Sequence, residues 1–480
     1  MPRDLTVRFV LTCAAIALSS CAAVAQRGGV TRPVAITHVS VVDVTTGALL
    51  ADQSVIINGD RISLMGSAST TRPLAGTTIV DGTGKFLIPG LWDMHSHLFA
   101  NSDRDGAELH AYAFPLYIAN GVTGVRDMWT TLEELPIESG WNRAEASGTL
   151  IGPRLVPTST MLAGSTIGEN HKLVVTTPDQ ARRVVDSLVA GGARTIKVQN
   201  GLSRDVYFAI AERAKHDQVD FVGHVGAAIT IRDAADAGQR SIEHNGGVPD
   251  GCSSQEAEIM RRRNAPAAGR GVNIGEFVRA TYDDSTCRAL GRYLVAHDTW
   301  LVPTSVVKTI GLPDDSLRTG HRGYAYTPAD ERAAWTSRPT PSAGAVAGTR
   351  ANNAGGWKII GLMNHEGVSI MAGTDVGNHW LAFGFSLQDE LALMAASGLS
   401  PLEALRTATL NPARFLHATD SLGSVAPGKI ADLVLLDANP LLDIHNTRRI
   451  FAVVARGRVY DRARLDSLLL LAKGVVDAMK

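Results

Sequence analysis

The sequence predicts an α/β protein, a (β/α)8 TIM barrel with a small β-sandwich domain built from both termini. Three observations predict it. Between about 89 and 419, short apolar strands alternate with amphipathic helical stretches, the pattern of parallel β/α units. Both flanks, 34–88 and 420–465, are instead rich in Val, Ile and Thr and broken by turn signals. Metal-capable side chains recur where the barrel strands end, and strand C-termini converge on one face of such a barrel.

The first 25 residues are a different material. Arg3 and Arg8 precede the apolar run "FVLTCAAIALSSCAAVA", which has the charge and length of a secretory leader rather than a membrane span. Two endings compete. "LSSC" resembles a lipobox that ends the leader at 20 and leaves Cys21 as a lipidated first residue, and "AVA" before Gln26 is an A-x-A cleavage site. The expectation is an exported bacterial protein, either periplasmic or membrane-anchored through lipid on Cys21. Cys252 and Cys287 remain after processing; bridged and free are equally compatible with the sequence.

The N-terminal flank follows with "AITHVSVVDV", "QSVIINGDRISLMG" and "TTIVDGTGKFLIPG", closed by Asn-Gly, Asp-Gly or Pro-Gly. The same style returns in "KIADLVLLDANP" and "RRIFAVVARGRVYDR", so one sheet assembled from both ends is expected. The middle supplies eight candidate strands: "LWDMHSH", "GVTGVRDM", "RLVPTSTML", "TIKVQN", "DFVGHV", "SIEHNG", "TWLVPT" and "SIMAGTD". Amphipathic helices are read over 178–192 and 204–217. A doubly wound open sheet lacks its glycine-rich phosphate fingerprint here. Two long connections, 247–297 and 305–355, are rich in Arg, Gly and Pro, and loops of that length carry function or are disordered.

Formal net charge is −1, and no basic run interleaves with aromatics, so nucleic acid is not an expected partner. In "LWDMHSH", His95 and His97 stand at i and i+2 and share a strand face. Lys197, His224, His244 and Asp375 end four further strands. A single strand-end histidine is more often a satisfied polar residue than a ligand. Six such residues from five strands meeting at one barrel mouth point to a metal centre. By strand parity Glu243, beside His244, is expected to pack outside the barrel wall, whereas Asp93 and Asp127 would brace the ligands or form plain salt bridges.

These motifs resemble the metal-dependent amidohydrolase superfamily. The likeness runs from "FLIPGLWDMHSH" through "IKV", "GHV", "IEH" and "AGTD" to "LGSVAPGKIADLVLLDANPL", and within the superfamily it is strongest to the imidazolonepropionase-related branch that includes Xaa-Pro dipeptidases. The resemblance implies two divalent metal ions, zinc by ligand type. His95, His97 and Asp375 would hold the more buried ion, His224 and His244 the more exposed one, and N6-carboxylated Lys197 would bridge them. It implies hydrolysis of a C–N bond in a small amide, peptide or cyclic amide, with Asp375 moving the proton from the attacking water to the leaving nitrogen. His171, after the third strand, would polarise the scissile carbonyl or grip a carboxylate. Arg322, Tyr324 and Tyr326 would reach over the mouth to substrate. Gly223 and Val225 flank His224, where dipeptidase relatives often place a tyrosine, which departs from the proline-specific pattern. Alternatives are a lactone hydrolase, a deaminase, or a non-catalytic binding lipoprotein. Homo-oligomerisation is left open.

Overall fold

A computed structural model describes residues 32–99, 106–164, 172–265, 273–310, 312, 321–337, 341–378 and 380–479. The expected leader, Cys21 and His171 lie outside the described residues.

Eight parallel strands form the barrel, at the eight places read from the sequence. Leu91–Ser96 pairs with Val122–Asp127, which pairs with Arg154–Pro157. The third strand is interrupted at 158–160 and resumes as Met161–Ala163, which pairs with Thr195–Val198. Asp220–Gly223, Ser241–Glu243 and Trp300–Val302 follow in register. The eighth strand closes the circle. Met371 donates its N–H to Leu301 on one side, and Met94 donates to Ala372 on the other. Ile196, Ile242, Leu301 and Ile370 are fully or almost fully buried in the core between barrel and helices.

The helices start where capping chemistry says they should. Thr177 accepts the Gln180 N–H ahead of Pro178–Ala190, and Ser203 accepts the Val206 N–H ahead of Arg204–His216. The two long connections are largely helical rather than loop. The first carries Glu256–Asn264, Ile274–Ala280 and Asp284–Ala296; the second carries Ala329–Thr336 and Ala343–His365. A disulfide joins Cys252 to Cys287 within the first connection. Among the described residues, no helix is long and apolar enough to cross a membrane.

The second layer is one mixed sheet from both ends of the chain. Its order is Arg458–Tyr460, Ile450–Ala455, Leu433–Leu436, Phe86–Pro89, Val34–Val42, Leu49–Asn58 and Arg61–Ser67, with Thr78–Asp81 also on Val34–Val42. Its own core includes Ile36, Val39, Leu87, Leu433 and Val454. Gly90 separates Phe86–Pro89 from the first barrel strand, so this sheet fixes where that strand begins. A terminal helix, Arg462–Ala478, which the sequence reading did not contain, follows the last strand.

Candidate metal centre

His95 and His97 leave the first strand with their Nε2 atoms 3.3 Å apart. Asp375 reaches them from the eighth strand, its Oδ1 lying 2.9 Å from His97 Nε2 and 3.3 Å from His95 Nε2. One ligand atom from each of these three residues lies within 4.8 Å of the others. Close approach of the two strands depends on Gly373, where a Cβ would stand 2.6 Å from the Cβ of His95. Asp93 clamps the same junction. Its carboxylate accepts Thr374 Oγ1 at 2.6 Å and the backbone N–H groups of Thr374 and His95. Asp127 accepts backbone N–H groups of Leu98 and Trp129. Both aspartates therefore brace the site through backbone hydrogen bonds.

The remaining strand ends converge on this cluster. Lys197, fully buried, places Nζ 3.5 Å from His95 Nε2. The His244 ring stands 4.7 Å from that of His95 and 4.8 Å from that of His224, centroid to centroid. His244 Nδ1 is 2.6 Å from Thr304 Oγ1, at the end of the seventh strand. Thr304 was not legible as a site residue, because a threonine after proline carries no sequence signal of this role.

Glu243 corrects the sequence reading. It is fully buried but faces inward, with Oε2 2.7 Å from His95 Nδ1. Its Oε1 accepts Ser241 Oγ at 2.6 Å and Arg126 Nη2 at 3.0 Å. Strand alternation holds through Ser241 and Glu243, which share a face. It then stops, because His244 has φ +60° and turns back toward the same cluster. Parity was right for the strand and wrong for the residue that ends it. A carboxylate only accepts, so His95 carries its proton on Nδ1 and presents Nε2 to the cluster.

Electrostatics fit this donor set to a cation. Burial pushes His97 down to about 3 and His224 and His244 well below the usual imidazole range, so all three are neutral. Burial raises the Asp375 carboxyl, but His244, His95 and His97 outweigh it and keep the group anionic. Burial brings Lys197 down to about 8 against the pull of Glu243 and Asp375. Neutral imidazoles and an anionic carboxylate are what a divalent ion requires. His97 Nδ1 is buried without a hydrogen-bond partner.

Of the expected substrate residues, His171 lies outside the described residues, and Arg322, Tyr324 and Tyr326 lie in the connection after the seventh strand. Tyr326 stacks on Phe385, centroids 5.3 Å apart, and Tyr324 packs at 6.2 Å from Trp335 with Arg332 over its ring. Both rings are taken up in packing, and Arg322 is exposed. Gly223 has φ +128°, and a Cβ there would meet the Val198 carbonyl at 2.2 Å, so no tyrosine fits before His224. A cavity of about 840 Å3 is lined in part by Asn200, Val225 and Asn245, residues that follow Lys197, His224 and His244 in the chain.

The amidohydrolase family model matches residues 86–461. An imidazolonepropionase of Streptomyces coelicolor is 26% identical over 395 residues, covering 81% of this chain and 86% of that protein. The structure of a bottromycin amidohydrolase superposes with a TM-score of 0.72 at 19% identity, over 93% of this chain and 91% of that one. A Xaa-Pro dipeptidase with bound methionine gives 0.64 at 18% identity, over 89% and 100%. These two likenesses are likenesses of fold.

Proposed function

The chain belongs to the amidohydrolase family, and from that premise we propose that it hydrolyses a carbon–nitrogen bond of a small amide or peptide. The observation that carries this reading is the convergence of His95, His97 and Asp375, with Lys197 against His95. His95, His97 and Asp375 would hold one divalent ion, His224 and His244 a second, and carboxylated Lys197 would stand between them. Zinc suits this imidazole-rich set. Such ions, when bound, polarise the substrate carbonyl and make water a nucleophile at neutral pH.

The chain's own residues do the rest. Asp375 is the anionic group at the mouth and takes a proton from water, then returns it to the leaving nitrogen. Glu243 fixes the His95 tautomer, and Thr304 fixes His244. Dipeptides are supported as substrates by the dipeptidase fold likeness, and Gly223 speaks against a tyrosine-lined proline pocket. Metal counting on purified protein, followed by a screen of N-acyl amino acids and dipeptides, tests the reading. Protein with a full metal complement that cleaves no amide overturns it.

Export is part of the same proposal. The leader over 1–25 and the Cys252–Cys287 disulfide both support an oxidising compartment. Mass spectrometry of protein from its native host should find the chain starting at Cys21 or Gln26. An intact Met1 refutes it.

A further inference from the structure

The cavity beside the metal centre has its own chemistry. Its lining includes Val225 and Asn245, the residues directly after His224 and His244, which puts part of its wall against the candidate metal centre. Its volume of about 840 Å3 lies in the upper part of the range of roughly 300–1,000 Å3 that holds drug-sized ligands. Ile229, Ile231, Met260, Val278 and Ile359 give it an apolar lining. The outer wall is built from the helices Glu256–Asn264, Ile274–Ala280 and Ala343–His365.

Two observations indicate a space kept open for a ligand. Gly355 and Gly356 line the cavity from the middle of the helix Ala343–His365, where glycine is a poor residue. A Cβ at either would meet nothing within 4 Å, so a side chain there would take up space in the cavity. The second observation is charge. Arg263 pairs with Asp250 at 2.6 Å, Lys358 with Asp284 at 2.9 Å and Glu256 with Arg232 at 3.0 Å. Among the described residues, Arg279 is the cation lining the cavity whose hydrogen-bond partner is neutral, the side-chain oxygen of Asn352. Asn245, also in the lining, has its side-chain Oδ1 buried without a hydrogen-bond partner.

We propose that this cavity holds the leaving half of the substrate, an apolar amino acid or short apolar peptide whose free carboxylate pairs with Arg279. The inference rests on the amide-hydrolase reading above. The choice of half follows from peptide chemistry. The amine half of a peptide ends in a carboxylate, whereas the acyl half ends in an ammonium that Arg279 would repel.

Calorimetry with two unreactive probes, 4-phenylbutyrate and 4-phenylbutanol, tests the site without needing turnover. The acid should bind the metal-loaded protein roughly tenfold to a hundredfold more tightly than the alcohol. Arg279→Gln should bring that ratio to within about twofold. Gly355→Ala/Gly356→Leu should weaken both probes at least tenfold while Tm stays level or rises, because the helix gains propensity. An acid-to-alcohol ratio that survives Arg279→Gln places the carboxylate elsewhere, on the metal centre included, and overturns the proposal. So does undiminished binding to the double variant. Turnover of N-acetylphenylalanine against N-acetylglycine separates the two readings. Preference for the glycine compound overturns the cavity assignment and keeps the hydrolase. The expected probe binding with no cleavage of any amide keeps the carboxylate site and refutes the hydrolase.

Discussion

Replacing Glu243 with glutamine changes one atom and should disturb both metal binding and stability. The carboxylate sits between two cationic or proton-donating partners, Arg126 and His95, in a place without solvent. Burial raises its pKa, but Arg126 and the hydrogen bonds from His95 and Ser241 outweigh that and hold it at about 2, against an ordinary 4.5. That difference corresponds to about 3 kcal/mol of preference for the ionised form. Breaking one partner of a buried ion pair gives a similar figure, about 3–5 kcal/mol. Glu243→Gln should therefore lower the unfolding free energy by about 3 kcal/mol in urea titrations at pH 7. The pKa is depressed on folding, so this contribution is complete above pH 4.5 and is lost as pH falls toward 2. The gap between wild type and variant should accordingly narrow between pH 5 and pH 3. The amide NH2 also favours His95 with its proton on Nε2, the atom that faces the cluster, and loss of such a support typically costs about 10–100-fold in metal affinity. Chelator competition measures this. A variant within about 1 kcal/mol of wild type that binds metal within about threefold would falsify the account of Glu243.

Asp375→Asn should leave the barrel folded and reduce kcat on the order of 10²–10⁴-fold, measured against Tm and metal content on the same sample. If it turns over within a fewfold of wild type, another group moves the proton. Lys197→Ala should lower the metal count below that of wild type, and acetate or propionate should restore part of the activity by standing in for a carbamate. Two ions per chain with normal turnover would remove the bridging role. Cys252→Ser/Cys287→Ser opens a link across a sequence separation of 35, worth roughly 4 kcal/mol by chain entropy. Unchanged urea midpoints in the wild type with and without reductant would show the bridge to be energetically idle.

All eight barrel strands were legible because each is a short apolar run between helices, and period-2 patterning holds within them. The candidate metal site of His95, His97 and Asp375 was legible because these residues stand at one end of those runs. What escaped lies where the backbone leaves its period. His244, Thr304 and Asp375 all have positive φ, so side-chain direction there cannot be counted along a strand. Glu243 was assigned outward for that reason. The sequence gives Tyr324 and Tyr326 a place after the seventh strand but not their packing partners, Trp335 and Phe385, which only the fold supplies. The long connections looked irregular because helices such as Ala343–His365 carry several glycines, and cavity lining is not a sequence periodicity. The disulfide needed the cysteines' distance in space.

The sheet shared by the two ends of the chain has a consequence for the order of folding. Leu433 pairs with Pro89 and Leu436 with Phe86, contacts that span about 350 residues and cannot form until the chain has passed residue 436. Until then the edge of Phe86–Pro89 presents unpaired N–H and C=O groups, a template for pairing with other chains. Non-local pairing of this kind is slow, and such intermediates aggregate. Gly90 alone separates that edge from the strand bearing His95 and His97. A chain ending before residue 433 would therefore lose more than a peripheral layer: the strand bearing His95 and His97 would hang from an unfinished, adhesive edge. Synthesis must pass residue 436 before the strand bearing His95 and His97 has a fixed anchor.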